Sequence, residues 1–424
     1  MAQAQSRSVL AEKIALWSPL FWRLFVPFAL AFFMSVLYRT VNSLLAPDFI
    51  REFNMTATQL GAMSSTYFIT FAFAQYPLGI CLDRYGARRT LSFMLLFAVA
   101  GAFCFAQAQS VAWLMVGRGC IGIGVSGCLM AAIQAYREWV QPDRIPTVNS
   151  LQTFVGGLGG LVATKPVNYL MNFTDWRGVF IILAIATLTV ALLIYFFVPR
   201  KEQEGFAGET MAEQMSGTFK VAATAKFWRL APIATFVQAS YLALNSLWIG
   251  PWFKDVGLEA PAVVPTWLFW NAVAIAIGYL INGIVADRMR KKGYRTFSVA
   301  MGGMALYTVF MGCIAFLAPG VGRYFWIPLL IMGPFSLLSY PIFSFMYDSK
   351  LSGRVTTLYN LLVFLLTWVI QTYMGVIIDK FPKTEAGGFN PEGYKVALML
   401  LFALHVACVL WALFFRKRHN DFTY

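Results

Sequence analysis

Twelve apolar runs, each about the length of a bilayer crossing, dominate this chain of 424 residues. A crossing helix rises 1.5 Å per residue and needs about 20 predominantly apolar residues. The runs fall near 22–45, 57–80, 90–108, 112–135, 147–171, 178–198, 227–250, 265–285, 297–317, 326–347, 354–378 and 393–415. Hydrocarbon offers no partner to a backbone N–H or C=O, so runs of this length must be helical. An all-α integral membrane protein of twelve transmembrane helices is expected. Only 12% of the residues are charged, against about 25% in soluble domains, which excludes a water-soluble enzyme. The first run is too long and too aromatic for a cleaved signal peptide, and eleven more follow it.

The net charge of +14 comes from 33 Lys and Arg against 19 Asp and Glu. If the N-terminal tail lies in the cytoplasm, 23 of the cations fall in tails and loops on that side and seven on the other: Arg51, Arg177, Lys254, Arg323, Lys380, Lys383 and Lys395. That asymmetry predicts both termini inside, in a plasma membrane of the bacterial inner-membrane kind. Basic clusters facing anionic headgroups account for the charge without nucleic acid. Beside the lipid bilayer, a monomer is expected. Neither a cofactor nor a metal is expected, and no catalytic residue: the six Cys form no CxxC pair and the only histidines are His405 and His419.

The chain also repeats itself. Gly79-Ile-Cys-Leu-Asp83-Arg84-Tyr-Gly86-Ala-Arg88-Arg89 follows the second run, and Gly283-Ile-Val-Ala-Asp287-Arg288 follows the eighth, with the two Asp 204 residues apart. A weaker echo links Arg144 to Asn149 with Arg354 to Asn360. The expected organisation is a tail (1–21), a six-helix bundle (22–198), a polar linker (199–226), a second six-helix bundle (227–415) and a C-terminal tail (416–424).

The spacing G-x-x-x-D-R-x-G-x-R-R after the second run resembles the signature of the major facilitator superfamily of secondary transporters, and the resemblance covers essentially the whole chain. It implies two pseudo-symmetric bundles that rock about a central site. Gly79, Asp83, Arg84, Arg88, Asp287 and Arg288 would then act in gating, with Asp and Arg pairing across the cytoplasmic seam. Arg118, followed by Gly119, Gly122, Gly124 and Gly127, looks like the family's helix-4 element. Gly156-Gly157-Leu-Gly159-Gly160 with Pro166 only loosely resembles the helix-5 element of drug antiporters, because its Gly-Pro dipeptide is missing.

An ionisable group inside a span costs roughly 2.5–3.5 kcal/mol even on a lenient scale and calls for a reason. Arg39, Arg118 and Lys165 qualify, and all are cations. Helical rise places Arg39 about 25 Å from the inner start of its span, Arg118 about 9 Å from the outer start and Lys165 about 27 Å from the inner start. One level in the outer half of the bilayer thus holds three cations, a trap for an anion. Each also has a plainer reading: Arg39 could snorkel or pair with Asp48, Arg118 could bond backbone carbonyls of helix 1, and Lys165 could snorkel. Tyr38, Ser35 and Asn42 lie near Arg39 on the helix surface.

Residues 38–79 (Tyr38-Arg39, Ala46-Pro47, Gln59 to Ser65, Gln75 to Gly79) and Asp175-Trp176-Arg177 before the sixth run resemble the anion:cation symporter branch, which carries organic anions such as sugar acids. Arg39 and Arg118 match that branch's substrate-binding arginines. Its usual proton carriers are absent: Tyr38 stands where the branch often has Asp, and Val125 and Ser126 where it has Glu. Coupling to H⁺ or Na⁺ therefore stays open. So do facilitated diffusion and anion exchange.

In the second half, Gln238, Tyr241, Asn245, Trp248 and Trp252 share one helical face that ends near Gly250-Pro251, a candidate gating break. Ser336, Tyr340, Ser344 and Tyr347 form a second stripe, and Asn360, Phe364, Thr367 and Gln371 a third. Such stripes face a cavity or another helix. The expected substrate-binding set is Arg39, Arg118, Lys165, Tyr38, Asn42, Tyr241, Asn245 and Asn360. The expected function is movement of a small organic anion, a carboxylate, by alternating access, in the direction of uptake. An organophosphate or phosphate exchanger, and an exporter of a drug or a metabolite such as a siderophore, are the alternatives.

Overall fold

The computed structural model describes residues 17–199, 211–347, 349–384 and 388–415. The two tails and the acidic part of the linker, including Glu202, Glu204 and Glu209, lie outside the described residues. Ten helices are long and apolar enough to cross a membrane. Of these, Ala57–Ala106 holds two crossings, because Gly86 (φ 74°, ψ 165°) interrupts it with a backbone conformation that L residues avoid. Thr90 Oγ1 donates to the Cys81 carbonyl at 2.8 Å, a contact nine residues apart that a straight helix would hold about 13 Å from each other. The chain therefore doubles back at Gly86. Ile145–Val162, continued as Lys165–Leu170, forms the remaining crossing.

In chain order, α1 is Pro19–Thr40 continued as Asn42–Phe53, α2 and α3 are the two arms of Ala57–Ala106, and α4 is Val111–Val125 with Cys128–Trp139. Next come α5 (Ile145–Val162 with Lys165–Leu170) and α6 (Trp176–Phe197). After a short helix at Met211–Ala222, α7 runs through Ala225–Ala243, a π turn at Leu244–Trp248 and Ile249–Asp255. The rest are α8 (Val264–Lys291), α9 (Thr296–Phe316), α10 (Trp326–Met332 to Ser339–Met346), α11 (Ser349–Ile378) and α12 (Pro391–Phe414). Each begins or ends within a few residues of its apolar run, since the turns that separate the runs carry the caps. Ser18, Thr56, Ser110, Asp175 and Asn390 each accept a backbone N–H of the first turn.

Rings and aliphatic chains such as Phe93, Ile185 and Phe196 remain exposed around the outside, the surface a bilayer would cover. Inside, α4 lies tightly on α3, and a side chain at Gly124 would strike the backbone of Ala98. The expected break at Gly250-Pro251 is not where α7 departs from α-helical form. Helix continues through Ile249–Asp255, and the irregularity falls at Leu244–Trp248. Pro251 donates no N–H to the turn before it, and the wider π turn sits in that preceding stretch.

An even number of crossings puts the start of α1 and the end of α12 on one face, here the terminal face, opposite a distal face. At the distal end α2 and α11 are clasped. Asp379 accepts the Ala57 and Thr58 N–H groups, both at 2.8 Å, so a carboxylate at the end of α11 caps the start of α2. Lys383 Nζ donates to the Met55 carbonyl at 3.2 Å, and Gly250 N–H donates to Ser43 Oγ at 3.0 Å. Midway down, the Phe71 and Phe364 rings meet at 4.4 Å.

At the terminal face, neither Asp83 nor Asp287 makes the expected pair across the seam among the described residues. Asp83 has no ion pair among the described residues and is exposed. Asp287 pairs instead with Arg290 of its own helix at 3.2 Å. Arg84 and Arg288 are exposed too, and the Arg88 guanidinium lies 5.3 Å from the Tyr195 ring centroid. The seam is thus fastened at its distal end.

Candidate functional site

A cavity of about 70 Å³ lies where α1, α5, α7 and α8 converge. Val36, Arg39, Thr40 and Ser43 line it from α1 at the 3-4-7 spacing of one helical face. Tyr241 and Asn245 line it from α7, Tyr279 and Ala272 from α8, and Thr153 with Gly156, Gly157 and Gly160 from α5. Asn245, which lines the cavity together with Tyr241, sits in the π turn. Tyr279 is the polar neighbour of Tyr241. No Asp, Glu or His is among the lining residues.

Arg39 is the cation of this cavity. Among the described residues it has neither an ion pair nor a hydrogen bond, and its positive field reaches the hydroxyls of Tyr67, Tyr241 and Tyr340. Asp48, its nearest acid in sequence, is held by Arg51 at 2.9 Å.

Arg118 is placed differently. It is fully buried. Its NH1 donates to the Tyr38 carbonyl at 2.8 Å. With the Asn42 amide turned so that its oxygen faces the guanidinium, that oxygen accepts from NH2 and Nε at 3.2 and 3.3 Å. The Tyr67 ring lies 5.1 Å away, and its hydroxyl donates to the Ser35 carbonyl at 3.3 Å. A carbonyl, an amide and a π face therefore replace water around a charge with no acid beside it.

The expected constellation of three cations accordingly separates. Lys165 is exposed at the start of the second piece of α5, 5.6 Å from the Phe269 ring centroid, and is not among the cavity's lining residues. Tyr38 points its hydroxyl at Thr187 of α6, 3.0 Å away. Asn42 belongs to Arg118. Helical geometry explains the division: Asn42 lies about 60° and Tyr38 about 100° around α1 from Arg39, and the border between cavity and bundle interior runs between them.

The α7 stripe divides in the same way. Tyr241 and Asn245 reach the cavity, whereas Gln238 accepts from the Tyr359 hydroxyl at 2.6 Å and Trp248 donates to the Gln371 carbonyl at 3.1 Å. Asn360 accepts the Tyr340 hydroxyl at 2.7 Å and is likewise not a lining residue. Tyr279, Thr153 and the glycines of α5 were not expected in the site. Tyr279 stands four residues after Ile275 and seven after Ala272, a spacing that marks a shared face. His405 lies elsewhere, its Nε2 at 2.9 Å from Ser240 Oγ and its Nδ1 at 2.7 Å from the Leu401 carbonyl.

Apolar helices around a small polar cavity, clasped at the distal end, have the build of a multi-pass membrane transporter. The family model of the major facilitator superfamily matches residues 28–372, and the chain belongs to that superfamily. The hexuronate transporter of Escherichia coli K12 is 22% identical over 435 residues, covering 94% of this chain and 97% of that one. The "Probable sulfoacetate transporter" of Cupriavidus necator is 24% identical over 305 residues, 68% of this chain and 70% of that one. Among solved structures, a bacterial homologue of the human lysosomal transporter Spinster, inward-facing and unoccupied, superposes with a TM-score of 0.78 at 16% identity, over 96% of this chain and 99% of that one.

Proposed function

We propose that the chain carries a small organic anion, a carboxylate, across the plasma membrane, with Arg39 as its charge-recognising residue. The observation that carries the reading is an arginine without an acidic partner facing the central cavity. A guanidinium offers paired N–H donors matched to a carboxylate, and Tyr241, Tyr279, Asn245 and Thr153 offer neutral partners for hydroxyl groups. Relatives named as a hexuronate transporter and a "Probable sulfoacetate transporter" agree with this charge class.

With the terminal face taken as cytoplasmic from the 23-to-7 distribution of cations, the fastened distal seam makes this the inward-facing state. The halves 22–198 and 227–415 then rock about α2 and α11, and the exposed Asp83 and Asp287 clusters come together when the terminal face closes. Uptake fits this cycle. A coupled proton would have to ride on the substrate or on a group outside the cavity, because the lining has no acid. A phosphate exchanger is less well supported, since α7 brings no cation to this cavity: Lys226, Arg229 and Lys254 are all absent from its lining.

The test is transport by purified protein in liposomes, with glucuronate, galacturonate, sulfoacetate and glycerol 3-phosphate as probes. Uptake of at least one organic acid, lost in Arg39→Ala, is expected. Equal transport by wild type and Arg39→Ala would overturn the proposal.

A further inference from the structure

A second cavity, of about 560 Å³, lies on the distal side of the fastened seam. Its wall comes from the outer part of α1 (Pro47, Asp48, Arg51), from Asn168 of α5, from Lys254 of α7 and from Lys383 between α11 and α12. Three cations thus face it against one carboxylate. Arg51 neutralises Asp48 at 2.9 Å, so Lys254 and Lys383 are left in excess. Lys254 has no ion pair or hydrogen bond among the described residues. Lys383 gives one hydrogen bond to the Met55 carbonyl, a neutral acceptor that leaves its charge intact. Asp255, next to Lys254 in sequence, is taken up on another side of α7 by the Tyr394 hydroxyl at 2.9 Å and the Phe389 N–H at 3.3 Å.

Ser43 lines this cavity and the Arg39 cavity alike. Between them stands its contact with Gly250, a hydrogen bond from the glycine N–H to the serine Oγ. A side chain on Gly250 would strike the Ser43 backbone oxygen, so the two helices meet at main-chain distance. On the α1 side the partition is one residue thick. An anion held in the outer cavity stands directly behind the partition that must part for it to reach Arg39.

We propose that this distal vestibule is an outer anion-collecting subsite, in which Lys254 and Lys383 concentrate small carboxylates ahead of the Ser43–Gly250 partition. The proposal rests on the organic-anion reading above and extends it to a second position on the same path. Arg51, Lys254 and Lys383 outnumber the nearby carboxylates Asp48 and Asp255, and low-dielectric walls focus the resulting positive field inside the cavity.

The local potential is measurable without knowing the substrate. Asn168→Cys, an exposed wall residue, is labelled in purified full-length protein at low salt with anionic sulfonatoethyl or cationic trimethylammonioethyl methanethiosulfonate. Each rate is normalised to a free thiol and corrected for the chain lacking the new cysteine. The anionic reagent is expected to react about tenfold faster. In Lys254→Gln/Lys383→Gln the ratio falls toward one, and in Lys254→Arg/Lys383→Arg it stays. A normalised ratio of one or below, or a ratio the double Gln variant leaves unchanged, overturns the subsite. Neither result depends on transport, so failure of the Arg39 reading appears separately, as equal uptake by wild type and Arg39→Ala.

Discussion

Arg39 and Arg118 sit on helices of the same half, and both are cations where charge is expensive, yet their surroundings differ in almost every respect. Arg118 has no exposed surface and spends its donors on Tyr38 and Asn42 of α1, with Tyr67 of α2 against its guanidinium. Arg39 faces a cavity and keeps its donors free of acids. One arginine stitches three helices together, and the other is the one proposed to meet the anion. Position in sequence and residue type do not separate these roles; the inventory of partners does.

The largest effect is expected where the comparison is sharpest. Arg39→Ala should lower uptake of the accepted anion by at least about 100-fold, the scale of losing two charge-assisted hydrogen bonds, with thermal stability unchanged. Arg39→Lys should restore part of it, since a point charge replaces a planar fork. Transport assays with melting curves on the same preparations check both.

Arg118→Ala should do the reverse. It leaves the Tyr38 carbonyl and the Asn42 amide buried without a donor, at about 1–3 kcal/mol each, so the melting temperature should fall by several degrees. Arg118→Met, which refills the volume without the charge, should recover some stability. Unchanged melting of Arg118→Ala alongside lost transport would make it a ligand residue after all.

The two ends of the seam form a milder version of the same contrast. Asp379→Asn weakens the cap on α2, and a helix cap is worth about 1 kcal/mol, so the distal-open population should rise about fivefold. Spin labels at Asn168 and Leu258, on opposite halves of the distal mouth, would read that as a longer distance. A distribution identical to wild type would remove the clasp from the mechanism.

The smallest effect is that of pH on this clasp. Burial raises the Asp379 pKa, but hydrogen bonds from Thr58, Ala57 and Thr56 outweigh it and leave the carboxyl below its ordinary 3.8. A depressed carboxylate stabilises the clasped state fully above the ordinary value and ceases to do so as pH falls through the depressed one. The same spin-label distance should therefore stay flat from about pH 8 to 5 and lengthen only below about pH 4.

Much of the fold was legible because the bilayer enforces it. Every apolar run became a crossing, and the Gly86 in the repeated motif became the turn between α2 and α3. The site was legible in part: Arg39, Tyr241 and Asn245 were foreseen and do line the cavity. Tyr38, Asn42, Arg118 and Asn360 were expected there too, and each has a protein partner in the structure. Tyr279 carries no mark in the sequence, because a lone Tyr in an apolar run can pack against a neighbouring helix as readily as line a cavity.

The sequence by itself determined the number of crossings, the family and the sign of the charge at the centre. Hydrophobicity and charge are local properties of a residue, and a bilayer converts them directly into position. Tertiary structure alone decided which of the two arginines, Arg39 or Arg118, has donors to spare. That depends on what lies within about 3 Å of a side chain, and for Arg118 the answer is supplied by Tyr38 and Asn42, some 80 residues away along the chain.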